Sequence, residues 1–593
     1  MIRTPLRPLA TIMSARAAGQ DPDLIEAENT RARVAALHEY LLVMTRRRLF
    51  MLSAMFAVAF SVIGLQMVTL AASDPVEPRS NASAAKILAN RADIVDRNGR
   101  VLATNIDTFS LYAHPHQIID KDAAATQLAR IFPDLEEAKL KKQFNGSQKF
   151  LWVKGHISPE EKQAVHDIGD PGLLFGPREM RLYPNEAVAA HILGGTTFGE
   201  QGTHAAEVVG VAGVEKRFDE FLRDPAEEGQ PLQLSIDLTV QAALEDVLSR
   251  GMVVMNAKGA SAVLMDAHTG EIAAMASLPD FDPNNRPRVL TEGAQDDSPL
   301  FNRAVQGMYE LGSAFKIFTT AQAMELNLVN ANTKIDTRGP LRWGKFKIRD
   351  FRNYGSTLTT KKVIVKSSNI GTARIAMMIG GSRQKTFLDS LGFLEPTSIE
   401  LIEGPTGRPQ FPKNWSDIST MTISYGHGIS TSPVHLAAAY ATVTNGGTRV
   451  KPTLIKRNDR TLGPRVISAE VSAKSRDMLR AVVTEGTASF GEVPGYFVGG
   501  KTGTADKPKP SGGYYDDKVI ATFASVFPTH DPKYVLILSL DEPEDRTGPK
   551  ARRTAGWTAV PVAAEAIRRV APLLGMAPDV DPTGKPGVTL TSN

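Results

Sequence analysis

The 593-residue chain contains no cysteine. Disulfides, thiolate catalysis and cysteine metal sites are therefore excluded, while either side of a membrane stays open. It also lacks an excess of one charge. Sixty-eight basic residues stand against 64 acidic ones, a net +4, which argues against nucleic acid as the main partner. No His/Asp/Glu cluster at ligand spacing calls for a metal, and no glycine-rich loop calls for a nucleotide, so no cofactor is expected. What remains is ordinary: 42% hydrophobic and 22% charged residues, in a chain too long for one core. Three or four segments are expected.

One stretch lacks charge altogether. Residues 49–72 are 24 uncharged residues, preceded directly by Arg46, Arg47 and Arg48. About 20 apolar residues span a bilayer as a helix, and flanking arginines stay on the cytoplasmic side. The expectation is a single-pass anchor in the inner (cytoplasmic) membrane, with residues 1–48 cytoplasmic and everything after 72 periplasmic. A cleaved signal peptide is the rival, with small residues at Ala71-Ala72-Ser73. The 48-residue leader and the long apolar run exceed usual signal-peptide dimensions. Within the leader, 26–44 reads as helical.

Beyond a polar linker, 73–90, Asp96-Arg97-Asn98-Gly99 between apolar runs predicts a hairpin. Residues 106–230 mix a strand at 109–113 with helices at 123–131 and 159–165, and show no nucleophile–base or metal-ligand spacing. His191, followed by Ile-Leu-Gly, reads as structural. From Pro231 the texture changes: a strand at 232–237, a helix at 238–251, then strands at 260–265 and 271–276 around the turn His268-Thr269-Gly270. Further helices are expected at 370–379, 434–441 and 560–567, and strands at 496–504, 519–526 and 533–540. Strands, helices and strands again predict an α/β unit whose antiparallel sheet draws on both ends of the domain.

Three motifs carry chemistry. Tyr309-Glu310-Leu311-Gly312-Ser313-Ala314-Phe315-Lys316 is a turn that breaks into a helix, placing Ser313 and Lys316 one helical turn apart at an N-terminus that favours negative charge. A hydroxyl beside an amine is a candidate nucleophile and base. Ser83-Ala84-Ala85-Lys86 has the same spacing, but in the linker. Ser367-Ser368-Asn369 lies 54 positions beyond Ser313, and Lys501-Thr502-Gly503-Thr504 a further 134. On a strand, Thr502 and Thr504 share one face, and Lys501 and Gly503 the other.

S-x-x-K, S-x-N and K-T-G in this order resemble the signature of penicillin-binding proteins and class A β-lactamases. The resemblance extends over about residues 85–570. Residues 91–100, Arg181-x-Tyr183-Pro184, His191-x-x-Gly194 and Gly210-x-x-Gly213-x-Glu215 look like the pedestal motifs of class B penicillin-binding proteins. Residues 273–284, Asn302-Arg303-Ala304, 425–433 and Asn445-Gly446-Gly447 look like that family's transpeptidase domain. Tyr309-Glu310 and the short membrane-proximal part resemble the division-specific, FtsI-type branch. Leu311 and Ala314 depart from the Pro and Thr common there, and Ala555-Gly556-Trp557 from an expected double glycine.

The resemblance implies a multi-domain α/β and α+β chain: cytoplasmic segment 1–48, transmembrane helix 49–72, linker and dimerisation-type pedestal 73–230, transpeptidase domain 231–575 with a serine β-lactamase-like antiparallel sheet flanked by helices, and a flexible tail 576–593. It implies a septal peptidoglycan D,D-transpeptidase that is a target of β-lactams. Ser313, Lys316 and Ser367 would be catalytic, and Asn369, Lys501, Thr502, Gly503 and Thr504 would bind substrate. Partners implied are the D-Ala-D-Ala stem peptide, a polytopic glycan polymerase and other division proteins. An elongation-specific transpeptidase, a D,D-carboxypeptidase or β-lactamase, and a penicillin sensor are the alternatives.

Overall fold

A single helix, Pro22–Ala72, carries the whole apolar stretch. Its start is set by Pro22 and by Asp21, whose carboxylate accepts the Asp23 N–H at 3.0 Å. The two helices expected at 26–44 and 49–72 are one continuous helix, because no proline separates them and the three arginines are good helix formers. At about 1.5 Å per residue its uncharged part is about 36 Å long, enough for a hydrocarbon core. Phe50, Phe56, Phe60 and Leu65 are all exposed on it. A helix that is apolar on every side finds its cover in lipid.

The computed structural model describes residues 9–72, 91–198, 208–224, 226, 230–457, 463–509 and 512–579. The linker 73–90, with Ser83 and Lys86, lies outside the described residues, as does all of the tail from 580. Contacts divide the chain into two units, 1–86 and 87–593.

In the second unit, the predicted hairpin forms around Asp96, which accepts the N–H groups of Asn98 and Arg100. It joins a five-stranded sheet built on the 13-residue strand Val101–Ala113, which pairs with Leu151–Ile157 on one side and Leu173–Leu182 on the other. Helices Lys121–Ile131, Glu137–Phe144 and Pro159–His166 cover one face through Leu111, Leu128, Phe132 and Phe144. The pedestal motifs converge on one carboxylate. Glu215, fully buried, accepts from Arg91 Nε and Arg181 Nε at 2.7 Å each and from the Tyr183 hydroxyl at 3.2 Å. His191 is buried as expected, its ring against Phe281, and burial holds its pKa down at about 4.

One expectation is corrected here. The strand at 232–237 shrinks to Leu232–Gln233, and it pairs with Ile94–Val95 of the pedestal sheet, not with the catalytic one. Leu232, Leu234 and Ile236 do point inward, but Asp237 is diverted to cap the following helix, accepting from Thr239 and Val240.

The catalytic sheet has five antiparallel strands, Gly499–Pro508, Tyr514–Phe527, Tyr534–Asp541, Gly259–Asp266 and Ile272–Leu278 in spatial order. The sheet draws on both ends of the domain, as predicted, and they meet in mid-sheet where Tyr534–Asp541 pairs with Gly259–Asp266. Nearly every residue of Tyr534–Asp541 and Gly259–Asp266 is buried, so both faces are covered there. Helices Leu238–Val254 and Ala559–Leu573 pack as one pair, Pro433–Thr444 and Ala469–Glu485 as another. The edge strand starts at Gly499, not at 496, because Phe497 takes a left-handed backbone (φ 43°) that breaks the extended run.

Candidate active site

The turn at Ser313 is held from two sides. Tyr309 exchanges two backbone hydrogen bonds with Thr431, and Gly312 N–H donates to Gly426 O at 3.2 Å. Gly312 and Gly426 have φ of 55° and 78°, and a Cβ on Gly426 would lie 2.1 Å from Gly312 O. On the other side the turn rests on the edge strand, where a Cβ on Gly503 would lie 2.2 Å from Leu311 O. That close approach is the physical reason for glycine in the K-T-G strand. Beneath the turn, Phe315, Phe318, Phe393 and Tyr440 pack edge to face and tilted, with centroids 4.7–5.5 Å apart.

The predicted helix begins one residue group later than its motif. Gly312–Phe315 is a 3₁₀ turn, and the α-helix is Lys316–Glu325. Ser313 is partly exposed on this turn, and its hydroxyl makes no hydrogen bond to a described residue. Lys316 is fully buried and turns its Nζ elsewhere: 2.6 Å from Ser367 O, 3.1 Å from Ser367 Oγ and 2.6 Å from Asn369 Oδ1. The expected Ser–Lys pair is thus a Lys–Ser–Asn cluster behind a free serine.

Ser367 sits between two amines. Lys501 Nζ, also fully buried, lies 3.0 Å from the same Oγ. Ser367 ends the helix Thr360–Lys366 in the left-handed region (φ 60°), which costs a non-glycine residue about 1–3 kcal/mol and aims its hydroxyl between the lysines. Burial first, and the neighbouring Lys501 charge second, hold Lys316 well below the usual lysine pKa, while Asp350 pulls the other way. Burial lowers Lys501 to about 7. Two desolvated amines this close cannot both stay charged. The Ser367 hydroxyl connects them.

The remaining motif residues surround this relay. Thr502 Oγ1 lies 2.7 Å from Thr487 Oγ1, and Thr504 Oγ1 accepts the Ala555 N–H at 3.0 Å. Ala555, where a glycine was expected, is buried and makes this bond without strain. Leu311 and Ala314, the other departures, are buried too: the Leu311 backbone carbonyl and the Ala314 methyl lie against Gly503, and neither residue lines the cleft. Ser313, Asn369 and Thr504 line a cleft of about 240 Å³, whereas Lys316, Ser367 and Lys501 are not part of its lining.

Several residues of the site escaped sequence reasoning. Asp350 accepts from the Ser368 hydroxyl at 2.6 Å and from Ile370 N–H at 3.0 Å, and Arg349 O accepts from Asn369 Nδ2 at 3.0 Å, so this loop fixes the S-x-N turn. Glu310, Tyr425, His427, Asp506 and Tyr514 line the cleft. Glu310 was seen only as a branch marker; the only signal for its position was its place three residues before Ser313. Its carboxylate raises the His427 pKa, and burial raises that of Asp506.

An antiparallel sheet joined at both domain ends, a serine turn seated on its K-T-G edge strand and a two-lysine relay define a penicillin-binding transpeptidase domain. Residues 260–565 match the family described as penicillin binding protein transpeptidase domain, and 86–230 that described as penicillin-binding protein dimerisation domain. The chain belongs to the FtsI-type penicillin-binding proteins. It is 37% identical over 498 residues to the probable peptidoglycan D,D-transpeptidase FtsI of Caulobacter vibrioides, covering 82% of each chain. It is 30% identical to the probable peptidoglycan D,D-transpeptidase PenA of Neisseria meningitidis, over 77% of this chain and 80% of that one. With the peptidoglycan D,D-transpeptidase FtsI of Escherichia coli it shares 27%, over 84% and 86%.

Proposed function

We propose that this chain is the septal peptidoglycan D,D-transpeptidase of its cell, working through a seryl acyl-enzyme on Ser313. The observation that carries the reading is the shared hydroxyl of Ser367, within hydrogen-bonding distance of both Lys316 and Lys501. A serine alcohol needs a base, and a lysine serves only when neutral at working pH. Burial and the second amine lower the Lys316 pKa, which favours the neutral base.

In the first half-reaction Ser313 Oγ attacks the carbonyl carbon between the two terminal D-alanines, and its proton passes to Lys316. The C–N bond breaks, and the departing D-Ala amine takes a proton through Ser367. In the second, an amine of a neighbouring stem attacks the ester carbon, gives up its proton along the same route, and Ser313 leaves as the alcohol. Asn369 orients Lys316. Thr502 and Thr504, with Gly503 letting the turn approach the strand, bind the terminal carboxylate in the field of Lys501. Backbone N–H groups of Ser313 and Thr504 receive the oxyanion, worth ~10²–10³ in rate per donor. A β-lactam enters the same route and leaves a stable acyl-enzyme.

The arginine run 46–48 supports an anchor with its N-terminus in the cytoplasm and the catalytic part in the periplasm. The pedestal suits docking to a polytopic glycan polymerase and other division proteins. Depletion in the native cell tests the septal role: filaments are expected, and rounded cells would assign the enzyme to elongation instead.

A further inference from the structure

The cleft beside Ser313 holds charged side chains that the acyl-transfer steps leave unused. The Glu310 side chain is only 10% exposed. Its Oε1 accepts from Gly428 N–H at 2.8 Å and from the Tyr514 hydroxyl at 3.0 Å, so the carboxylate is firmly aimed. Its Oε2 is shut off from solvent and lies 2.9 Å from His427 Nδ1. Asp506 lines the same cleft from the edge strand. The His427 ring leans on Tyr514, with centroids 5.1 Å apart, and 44% of its side chain is exposed. Among the described residues no lysine or arginine lines this cleft. Two carboxylates therefore share a single, solvent-reachable imidazole.

The position of this group relative to Ser313 gives it meaning. Gly499–Pro508 is the edge strand of its sheet, and the cleft runs along it from Thr504 through Ala505 to Asp506. A peptide laid along a sheet edge advances about 3.3 Å per residue and projects alternate side chains to one side. With its scissile carbonyl at Ser313, the residue preceding the two D-alanines comes level with Asp506 and Glu310.

We propose that Glu310, backed by Asp506 and Tyr514, is the specificity-determining contact for a primary ammonium on the side chain of the stem residue that precedes the two D-alanines. His427 holds the carboxylate until that ammonium displaces it. The proposal rests on the stem-peptide reading above and adds what the site selects. Glu310 is already desolvated and keeps its two hydrogen bonds throughout, so exchanging one cation for another adds little desolvation cost. A neutral side chain gains nothing there, and an anionic one meets two like charges.

The test uses the full-length protein in detergent and two penicillins: one whose acyl side chain ends in a primary amine, and its N-acetylated counterpart. The acyl side chain occupies the place of the residues before D-Ala-D-Ala. Wild type is expected to be acylated about tenfold faster by the amine form, the value of one charge-assisted hydrogen bond. Glu310→Gln brings the ratio close to one, and His427→Gln keeps or widens it. A wild-type ratio near one, equal slowing of both reagents in Glu310→Gln, or loss of the preference in His427→Gln would overturn the proposal. Acylation by neither penicillin would instead overturn the acyl-enzyme reading, and the subsite with it.

Discussion

Lys501 Nζ stands 3.0 Å from Ser367 Oγ, and the same oxygen lies 3.1 Å from Lys316 Nζ. The lysine of one motif therefore reaches the lysine of another through the serine of the third. Removing the hydroxyl breaks this side-chain link between the two amines. Ser367→Gly also relieves the left-handed backbone, so it is expected to keep its Tm while losing about 10²-fold or more in acylation rate by penicillin, the usual worth of a positioned proton carrier. Thermal melting and stopped acylation on the same sample measure both.

The two charges near Lys316 predict opposite pH shifts. Lys501 lowers its pKa and Asp350 raises it. The base works when deprotonated, so acylation falls as pH drops through the Lys316 pKa. Lys501→Met removes the lowering charge and moves this acid limb to higher pH. Asp350→Asn removes the raising charge and moves it to lower pH. In wild type, loss of the Lys501 charge above about 7 weakens the hold on a carboxylate, which gives an alkaline limb that Lys501→Met lacks. Rate–pH profiles of the three proteins check the signs.

Gly503→Ala sets a Cβ against Leu311 O, where 2.2 Å is available. The turn must move away from the edge strand. A loss of about 1–3 kcal/mol in stability is expected from the overpacking, together with loss of penicillin labelling. Denaturant unfolding and gel labelling are the measurements.

How much of this was legible in the chain depends on how local each feature is. The three motifs could be read because each is a few adjacent residues in a recognisable setting, and the order of strands about them showed that the sheet closes from both ends of the domain. The cluster of Glu310, His427, Asp506 and Tyr514 could not be read: its members lie on four separate segments, and none belongs to a pattern with a period. Asp350 was hidden likewise in a loop of its own. The strand misread at 232–237 shows the limit of alternation, since Leu232, Leu234 and Ile236 point inward while only Leu232 and Gln233 form a strand and Leu234 adds a single bridge to Ile455. Alternation reports which side is buried, not which backbone groups are bonded. The direction of Lys316 Nζ, toward Ser367 rather than Ser313, is a rotamer choice that spacing alone does not dictate.

The pedestal carries its own prediction. Glu215 is the shared acceptor of Arg91, Arg181 and Tyr183 in a fully buried place. Glu215→Gln leaves the buried Arg181 guanidinium without its counter-charge and Arg91 with Asp219 alone, which is expected to cost about 3–5 kcal/mol. Calorimetry should show the loss, whereas Glu137→Gln, at an exposed ion pair with Lys141, should change stability by less than about 1 kcal/mol.

Covalent labelling of the full-length protein by a fluorescent penicillin tests the central claim most directly. Wild type should carry the label on the peptide that contains Ser313, located by mass spectrometry, and Ser313→Ala should carry none while melting at the wild-type temperature. Label that persists on Ser313→Ala, or that maps to any other serine, would contradict the assignment of the nucleophile and the mechanism built on it.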